Sequence, residues 1–349
     1  MFELKKIVRK NILDLQPYAS ARDEFAGKEG IFLDANENPF GTLNRYPDPY
    51  QQELKSVLAL QKGVNSNQIF VGNGSDEVID LLFRVFCNPA QDKALTFSPT
   101  YGMYDVSAAI NDVMLLKLPL TESFQIDVHA AVSALENQNI KLIFVCSPNN
   151  PTGNALQRKD IEQLLQSTTG IVMVDEAYID FSETESVIDL IDVYPNLVVA
   201  QTMSKARGLA AARVGFAFAH EEIIWLLHNV KSPYNVSGLN QQAAIDALTN
   251  NELYESNVKI IIAQREELKQ KLAELDAVLK IYPTDANFLL VEFKNAEVFY
   301  EELIRRKIIV RNRAKLVKNC IRITVGTPAE NSQLITELKQ IQDEKSIIY

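Results

Sequence analysis

The feature that most constrains the fold is an alternation between about residues 69 and 220. Short, nearly unbroken apolar runs are separated there by amphipathic stretches. The runs are Ile69–Gly72, Ala94–Ser98, Lys141–Ser147, Ile171–Asp175, Asn196–Thr202 and Val214–Ala219; Asp76–Phe86 and Lys159–Gln166 are helical patterns between them. A strand that alternates apolar and polar residues can leave one face in water, whereas a continuously apolar strand must be covered on both. The pattern therefore predicts an α/β fold, a mostly parallel sheet with helices on both faces. Ligands of such sheets sit beyond the carboxyl ends of the strands.

Beyond residue 250 the pattern changes. A long charged helix is expected from Asn250 to about Val278, including Lys259–Leu275. Strand candidates Asn287–Phe293 and Cys320–Val325 follow, with a helix at Ala296–Arg306 between them. This predicts a smaller α+β domain entered through the long helix. The expected division is an N-terminal arm (1–30), a large domain (31–255) and a small domain (256–349).

Composition narrows the functional classes. The 349 residues carry 35 Lys+Arg against 45 Asp+Glu, a formal net charge of −10. An overall field of that sign does not draw in nucleic acid or an anionic membrane surface. No stretch approaches the ~18 consecutive apolar residues of a membrane span. Asn11, Asp14 and Gln16 interrupt the place where a signal peptide needs its apolar segment. Cys87, Cys146 and Cys320 are odd in number and lack metal-ligand spacing, as expected of free thiols in a reducing compartment. A cytoplasmic protein is expected, without a metal.

Several segments at the ends of the apolar runs could carry chemistry. Thr202-Met203-Ser204-Lys205, with Arg213 further on, closes a strand and opens a loop. A lysine there can form a Schiff base if its ammonium loses a proton, although an isolated Ser-Lys pair is more often a solvated strand end. Gly72-Asn73-Gly74-Ser75-Asp76-Glu77 lies between a strand and a helix. It can turn backbone N–H groups toward a phosphate, or be a tight turn with Ser75 or Asp76 as helix cap. Glu77 replaces the third glycine of a dinucleotide fingerprint, which argues against a nicotinamide-dependent oxidoreductase. Asp175 ends a buried strand, where a carboxylate is costly without a cation or several donors, and Tyr178 follows it. Cys146–Gly153 is a Pro/Asn/Gly loop after another buried strand. His129, His220 and His228 fall outside these segments and are read as structural.

Taken in order, the segments resemble the fold-type I pyridoxal-phosphate enzymes, and among them the histidinol-phosphate aminotransferases. The resemblance is carried by Leu33-Asp34-Ala35-Asn36-Glu37-Asn38-Pro39, Arg45-Tyr46-Pro47-Asp48, Gly72–Glu77, Pro99-Thr100-Tyr101-Gly102-Met103-Tyr104, Asn149–Gly153, Asp175–Asp180, Ser204-Lys205 with Arg213, and Arg322-Ile323-Thr324-Val325-Gly326. It implies that Lys205 holds pyridoxal 5'-phosphate and serves as base, and that Asp175 pairs with the pyridine nitrogen. It further implies that Asn150 and Tyr178 bond the ring's phenolic oxygen and that Tyr101 stacks on the ring. Gly74, Ser75 and Asp76, with Thr202, Ser204 and Arg213, would cradle the phosphate. Tyr46 would reach the phosphate of a second subunit, which makes the expected enzyme a homodimer. Arg322, Arg311 and Tyr18, the last within Pro17-Tyr18-Ala19-Ser20-Ala21-Arg22, would contact substrate, and the arginines would serve L-histidinol phosphate and 2-oxoglutarate in turn.

Two departures from the family pattern stand out. Arg207 replaces the usual aromatic after the lysine, with Ala211 and Ala212 before Arg213, and the 312–321 connection is short. Relatives acting on aromatic amino acids or decarboxylating phosphothreonine share many of the motifs. A non-catalytic sensor of the same fold is a rival from another class. Such sensors carry an appended DNA-binding domain, for which a first motif near Pro17 and a charge of −10 are an unpromising setting.

Overall fold

The apolar runs become the strands of one sheet. The computed structural model describes residues 2–18, 30–136 and 139–345. Helices α1 (Leu4–Ile7), α2 (Lys10–Leu13) and α3 (Gln52–Lys62) precede β1 (Ile69–Asn73), α4 (Ser75–Phe86), β2 (Lys93–Ser98), α5 (Met103–Ile110), β3 (Met114–Pro119) and α6 (Val128–Glu136). Next come β4 (Ile140–Cys146), α7 (Arg158–Ser167), β5 (Ile171–Asp175), β6 (Leu197–Thr202), β7 (Val214–Ala219), α8 (Glu221–Val230) and α9 (Gly238–Thr249). The long α10 (Asn251–Ala273) leads to β8 (Val278–Ile281), β9 (Phe288–Phe293), α11 (Ala296–Arg305), β10 (Arg311–Asn312), β11 (Cys320–Thr324) and α12 (Pro328–Lys345). The motif residues Ala19, Ser20, Ala21 and Arg22 lie outside the described residues.

The seven-stranded sheet has the order β1-β7-β6-β5-β4-β2-β3. Strands β2 to β6 run parallel, and β7 is antiparallel to both of its neighbours. Successive side chains of a strand point to opposite faces. In β4, Leu142, Phe144 and Cys146 accordingly join the core under α4, α5 and α8, whereas Ile143 and Val145 join the core under α3, α7 and α9. Strand β3 was not among the expected runs. It is an edge strand, interrupted by Lys117 and closed by Pro119, and its burial is partial. Charged and proline positions are how edge strands avoid pairing with other chains.

The second sheet, β10-β11-β9-β8, is antiparallel. Its core takes Leu268 and Leu272 from α10, Phe299 and Leu303 from α11, and Leu334 and Leu338 from α12. The long helix ends at Ala273, short of the expected Val278, because Val278–Ile281 pairs with β9. Tertiary pairing there overrides a helical pattern.

Gly215 in β7 lies opposite Gly72 and Thr202. A Cβ at this position would stand 2.3 Å from Ser75 N and 2.5 Å from Gly74 C, which are main-chain atoms at the start of α4. Gly215→Ala is therefore expected to cost about 1–3 kcal/mol of stability, as overpacking does. Urea unfolding reads it directly, and an unchanged midpoint would mean that the α4 turn yields freely.

Candidate active site

The carboxyl ends of β1, β4, β5 and β6 meet the amino end of antiparallel β7 along one edge of the sheet. They form a partly open cleft. Ser75, Asp76, Tyr101, Asn150, Asp175, Tyr178, Thr202, Ser204, Lys205 and Arg213 line it together. These are ten of the residues singled out from the sequence.

At the floor, Asp175 is the last residue of β5 and only 2% exposed. Tyr104 Oη donates to its Oδ2 at 2.9 Å, and the Ala177 N–H donates to its Oδ1 at 3.2 Å. Tyr104 is wholly buried and stacked on Phe144, with ring centroids 4.9 Å apart. No cation lies at ion-pair distance from Asp175 among the described residues, and burial raises its pKa to about 6. Sequence reasoning gave Tyr104 no role of its own, although it stands three residues after Tyr101, and the two rings meet edge to face with centroids 5.7 Å apart.

On one wall, α4 begins without a side-chain cap. Gly74 occupies the cap position at φ +78°, so neither Ser75 nor Asp76 caps the helix. A Cβ on Gly74 would stand 2.6 Å from Arg213 Nη2, so the glycine makes room for the guanidinium. Asp76 is instead held between Tyr101 Oη at 3.1 Å and Arg213 Nη2 at 3.3 Å. Glu77, at the position that lacks the third glycine, accepts from Asn73 N at 2.5 Å and from Asn235 Nδ2 at 2.9 Å and thereby fixes the turn. Uncapped amides at a helix N-terminus beside an arginine form an anion site. Across from them, Thr202 Oγ1 donates to Val214 O at 3.3 Å and accepts from Ser204 N at 3.1 Å, which shapes the loop carrying Lys205.

The Lys205 ammonium stands 5.5 Å from the centre of the Tyr178 ring. Its pKa is lowered, first by partial burial and then by the positive charge of Arg322; Asp175 opposes the shift and Arg213 adds to it. A lysine eased toward its neutral form can attack a carbonyl or accept a proton. Burial raises the Tyr178 hydroxyl, which accepts from Asn150 Nδ2 at 3.3 Å. The other side of the Asn150 amide, Oδ1, accepts from Arg322 Nη1 at 2.5 Å. One asparagine thus joins the cleft of the first sheet to a strand of the second.

Arg311 faces Arg322 directly across β10 and β11. Arg313, whose N–H extends this ladder to Cys320 O at 2.9 Å, has its pKa lowered by burial and by both of those arginines. The Nε atoms of Arg313 and Arg322 are buried without a hydrogen-bond partner among the described residues. Like charges placed opposite each other are destabilising, and a multiply charged anion would relieve them. Arg313 was not among the expected residues; its place two along from Arg311 was the available signal. Tyr46 and Tyr18 lie outside the cleft. Tyr46 is half exposed and stacked on Tyr234 with ring centroids 4.4 Å apart, and Tyr18 is exposed.

The profile of the family described as aminotransferase class I and II matches residues 24–338. The histidinol-phosphate aminotransferase of Cytophaga hutchinsonii is 49% identical over 345 residues, covering 97% of this chain and 99% of its own. That of Flavobacterium johnsoniae is 49% identical over 344 residues, covering 97% and 98%. Among solved structures, histidinol-phosphate aminotransferase from Sinorhizobium meliloti in complex with pyridoxal-5'-phosphate shares the fold. Its TM-score is 0.80 at 24% identity, over 86% of this chain and 83% of that one. With a family match over most of its length and relatives this similar end to end, the chain belongs to the class I and II aminotransferases.

Proposed function

We propose that the protein is a pyridoxal-phosphate-dependent histidinol-phosphate aminotransferase. It exchanges an amino group between L-histidinol phosphate and 2-oxoglutarate, giving imidazole-acetol phosphate and L-glutamate. The observation that supports this most directly is the alignment in one cleft of a buried carboxylate, a lysine of lowered pKa and an uncapped helix N-terminus beside an arginine. Identity of 49% to relatives of that name supports the choice of substrate.

The residues present fit the cofactor. Asp175 is a buried carboxylate that lacks a cation, which a protonated ring nitrogen would supply. Gly74 leaves a cradle that a Cβ would fill, beside the free amides of α4. When bound, pyridoxal phosphate supplies an electron sink for the carbon that loses its proton. Lys205 holds the cofactor through its amine and moves the proton at the substrate Cα. Asn150 and Tyr178 hydrogen-bond the ring oxygen, and Tyr101 supplies an aromatic surface for the ring. Gly74, Ser75, Asp76, Thr202, Ser204 and Arg213 hold the phosphate. Arg322 and Arg311, with Tyr18, take the substrate's phosphate ester and then the carboxylate of the second substrate.

A homodimer completes the reading. The irregular segment before α3 exposes Ile31 (91%), Leu33 (89%), Phe40 (82%) and Leu43 (71%). Apolar residues clustered in this way mark a protein interface, and Tyr46 at its end would serve the phosphate of the other subunit. Among the described residues no helix is long and apolar enough to cross a membrane. We place the dimer in the cytoplasm with its three cysteines free.

The reading is tested by the visible spectrum of protein purified with pyridoxal phosphate, before and after addition of L-histidinol phosphate alone. Loss of the visible band is expected, and Lys205→Ala removes the response. A band that answers to phenylalanine and ignores histidinol phosphate would move the enzyme to aromatic substrates.

Arg322→Gln is expected to raise KM for both substrates about tenfold or more, given about 1.5–3 kcal/mol for hydrogen bonds to charged groups. A rise for one substrate alone would show that the two do not share this arginine.

A third expectation concerns pH. Burial lifts Asp175 to about 6, above about 3.9 in an unfolded chain. The stability this contributes is present below about pH 4 and lost as pH rises through 6. A protonated ring nitrogen reverses the sign by giving the carboxylate a cation. The cofactor's effect on the unfolding temperature should therefore grow between about pH 5 and about pH 7.5, and Asp175→Asn should remove most of that growth. An effect of constant size in the parent protein would mean that Asp175 meets no cation.

A further inference from the structure

We propose that Tyr254, Arg207 and Asp180 form a positioning unit. It sets Lys205 and Tyr178 relative to each other and ties both to α10, and it rests on the reading of Lys205 as the cofactor-holding residue. The starting point is Arg207, two residues beyond Lys205, where similar enzymes usually carry an aromatic.

Its guanidinium lies over the ring of Tyr254, 3.5 Å from the centroid. Nη1 donates to Ala247 O at 3.0 Å and to Asn251 Oδ1 at 3.2 Å. The Tyr254 hydroxyl donates to Asp180 Oδ1 at 2.7 Å, and Asp180 lies two residues beyond Tyr178 in the single helical turn Ile179–Phe181. One side chain on α10 therefore holds a residue from each of the two loops that carry Lys205 and Tyr178. The ring face takes the cation and the hydroxyl takes the carboxylate.

The connections to the cleft are short. Gly208 N donates to Lys205 O at 3.1 Å, closing the turn that contains Arg207, so a shift of Arg207 is passed to Lys205. Burial and the Asp180 carboxylate both raise the Tyr254 hydroxyl, which keeps it a donor. Burial lowers the pKa of Arg207. An apolar side chain would fill the same space without that desolvation cost, whereas a guanidinium stacks on the ring and donates in its own plane at once.

Helix α10 is also fixed further along. Arg265 Nη1 donates to Phe181 O at 3.2 Å and to Ala286 O at 3.1 Å, and Leu268 and Leu272 enter the core of the second sheet. That sheet carries Arg322. A change in the stance of the small domain is thus conveyed through Tyr254 to the two loops.

The test uses the enzyme loaded with pyridoxal phosphate and compares Tyr254→Leu, Tyr254→Phe and Arg207→Gln. Four quantities are read: the circular dichroism of the cofactor band, the pH midpoint of its visible absorbance, kcat with KM, and the unfolding temperature. Tyr254→Leu and Arg207→Gln should move the midpoint by about half a pH unit or more. They should lower kcat about tenfold, as misplacement of reacting groups does, with KM for 2-oxoglutarate held within about twofold. Tyr254→Phe keeps the ring face and loses only the bond to Asp180, so it should fall between these variants and the parent. Unmoved midpoint, dichroism and kcat in Tyr254→Leu and Arg207→Gln overturn the proposal. So does a lowered unfolding temperature as the sole effect, which marks packing alone. If the parent enzyme lacks a visible band that depends on Lys205, the functional reading falls and this proposal falls with it; a parent band with unmoved variants overturns this proposal alone.

Discussion

The site depends first on a carboxylate that ends a buried strand. Asp175 closes β5 between β4 and β6, in a position where an ionised group without a cation is costly. Tyr104 and the Ala177 amide reduce that cost without removing it, and burial keeps the pKa raised, at about 6. The tyrosine is itself held by its stack on Phe144, whose neighbours Leu142 and Cys146 fill the same face of the sheet. The position of the carboxylate thus follows from core packing. A ligand bearing a protonated nitrogen supplies the missing partner, so the same burial that penalises the charge selects the group that can bind there.

The second constraint is steric. Gly72, Gly74 and Gly215 meet where β1, β7 and the start of α4 converge, and a Cβ on any of the three would press on a close neighbour. Their smallness lets the α4 amides lie close to β7 and to Arg213, which sits at φ +53° at the start of that strand. A non-glycine residue in the left-handed region costs free energy and is found where surrounding structure holds it. Here the restraints are Asp76, Ser204 and the Ala210 carbonyl, all on the guanidinium. Anion binding at this corner is therefore a property of backbone placement as much as of charge.

Much of this was legible in the sequence because the central strands are buried on both faces. A strand such as Ile171–Asp175 has no polar residue until its last position, so both its limits and its unusual end are visible. The expected bounds of β5 and β7 match the structure residue for residue. Where burial is one-sided the signal fades. Met114–Pro119 and Val278–Ile281 lie at or near sheet edges and are only partly buried, and neither declares itself. Within the cleft, the residues at strand ends were found from position and motif. Tyr104 and Tyr254 were not, because each acts through a partner distant in sequence, Asp175 and Arg207; Arg313, two residues from Arg311, was missed although its signal was local.

The arginines show how the two sheets divide the work. At the strand ends of the first sheet Asp76 and Arg213 pair with each other, and Asp175 takes hydrogen bonds from Tyr104 and the Ala177 amide. At the second sheet Arg311, Arg313 and Arg322 depress or oppose one another, and two of their Nε atoms are buried without partners among the described residues. A fixed frame of this kind suits a cofactor that stays bound. A cluster held short of counter-charge suits anions that come and go, since each arrival relieves repulsion and each departure restores it. The hydrogen bond from Arg322 to Asn150 crosses between these regimes. An anion that engages Arg322 competes for that contact, so substrate arrival bears on the asparagine that also hydrogen-bonds Tyr178.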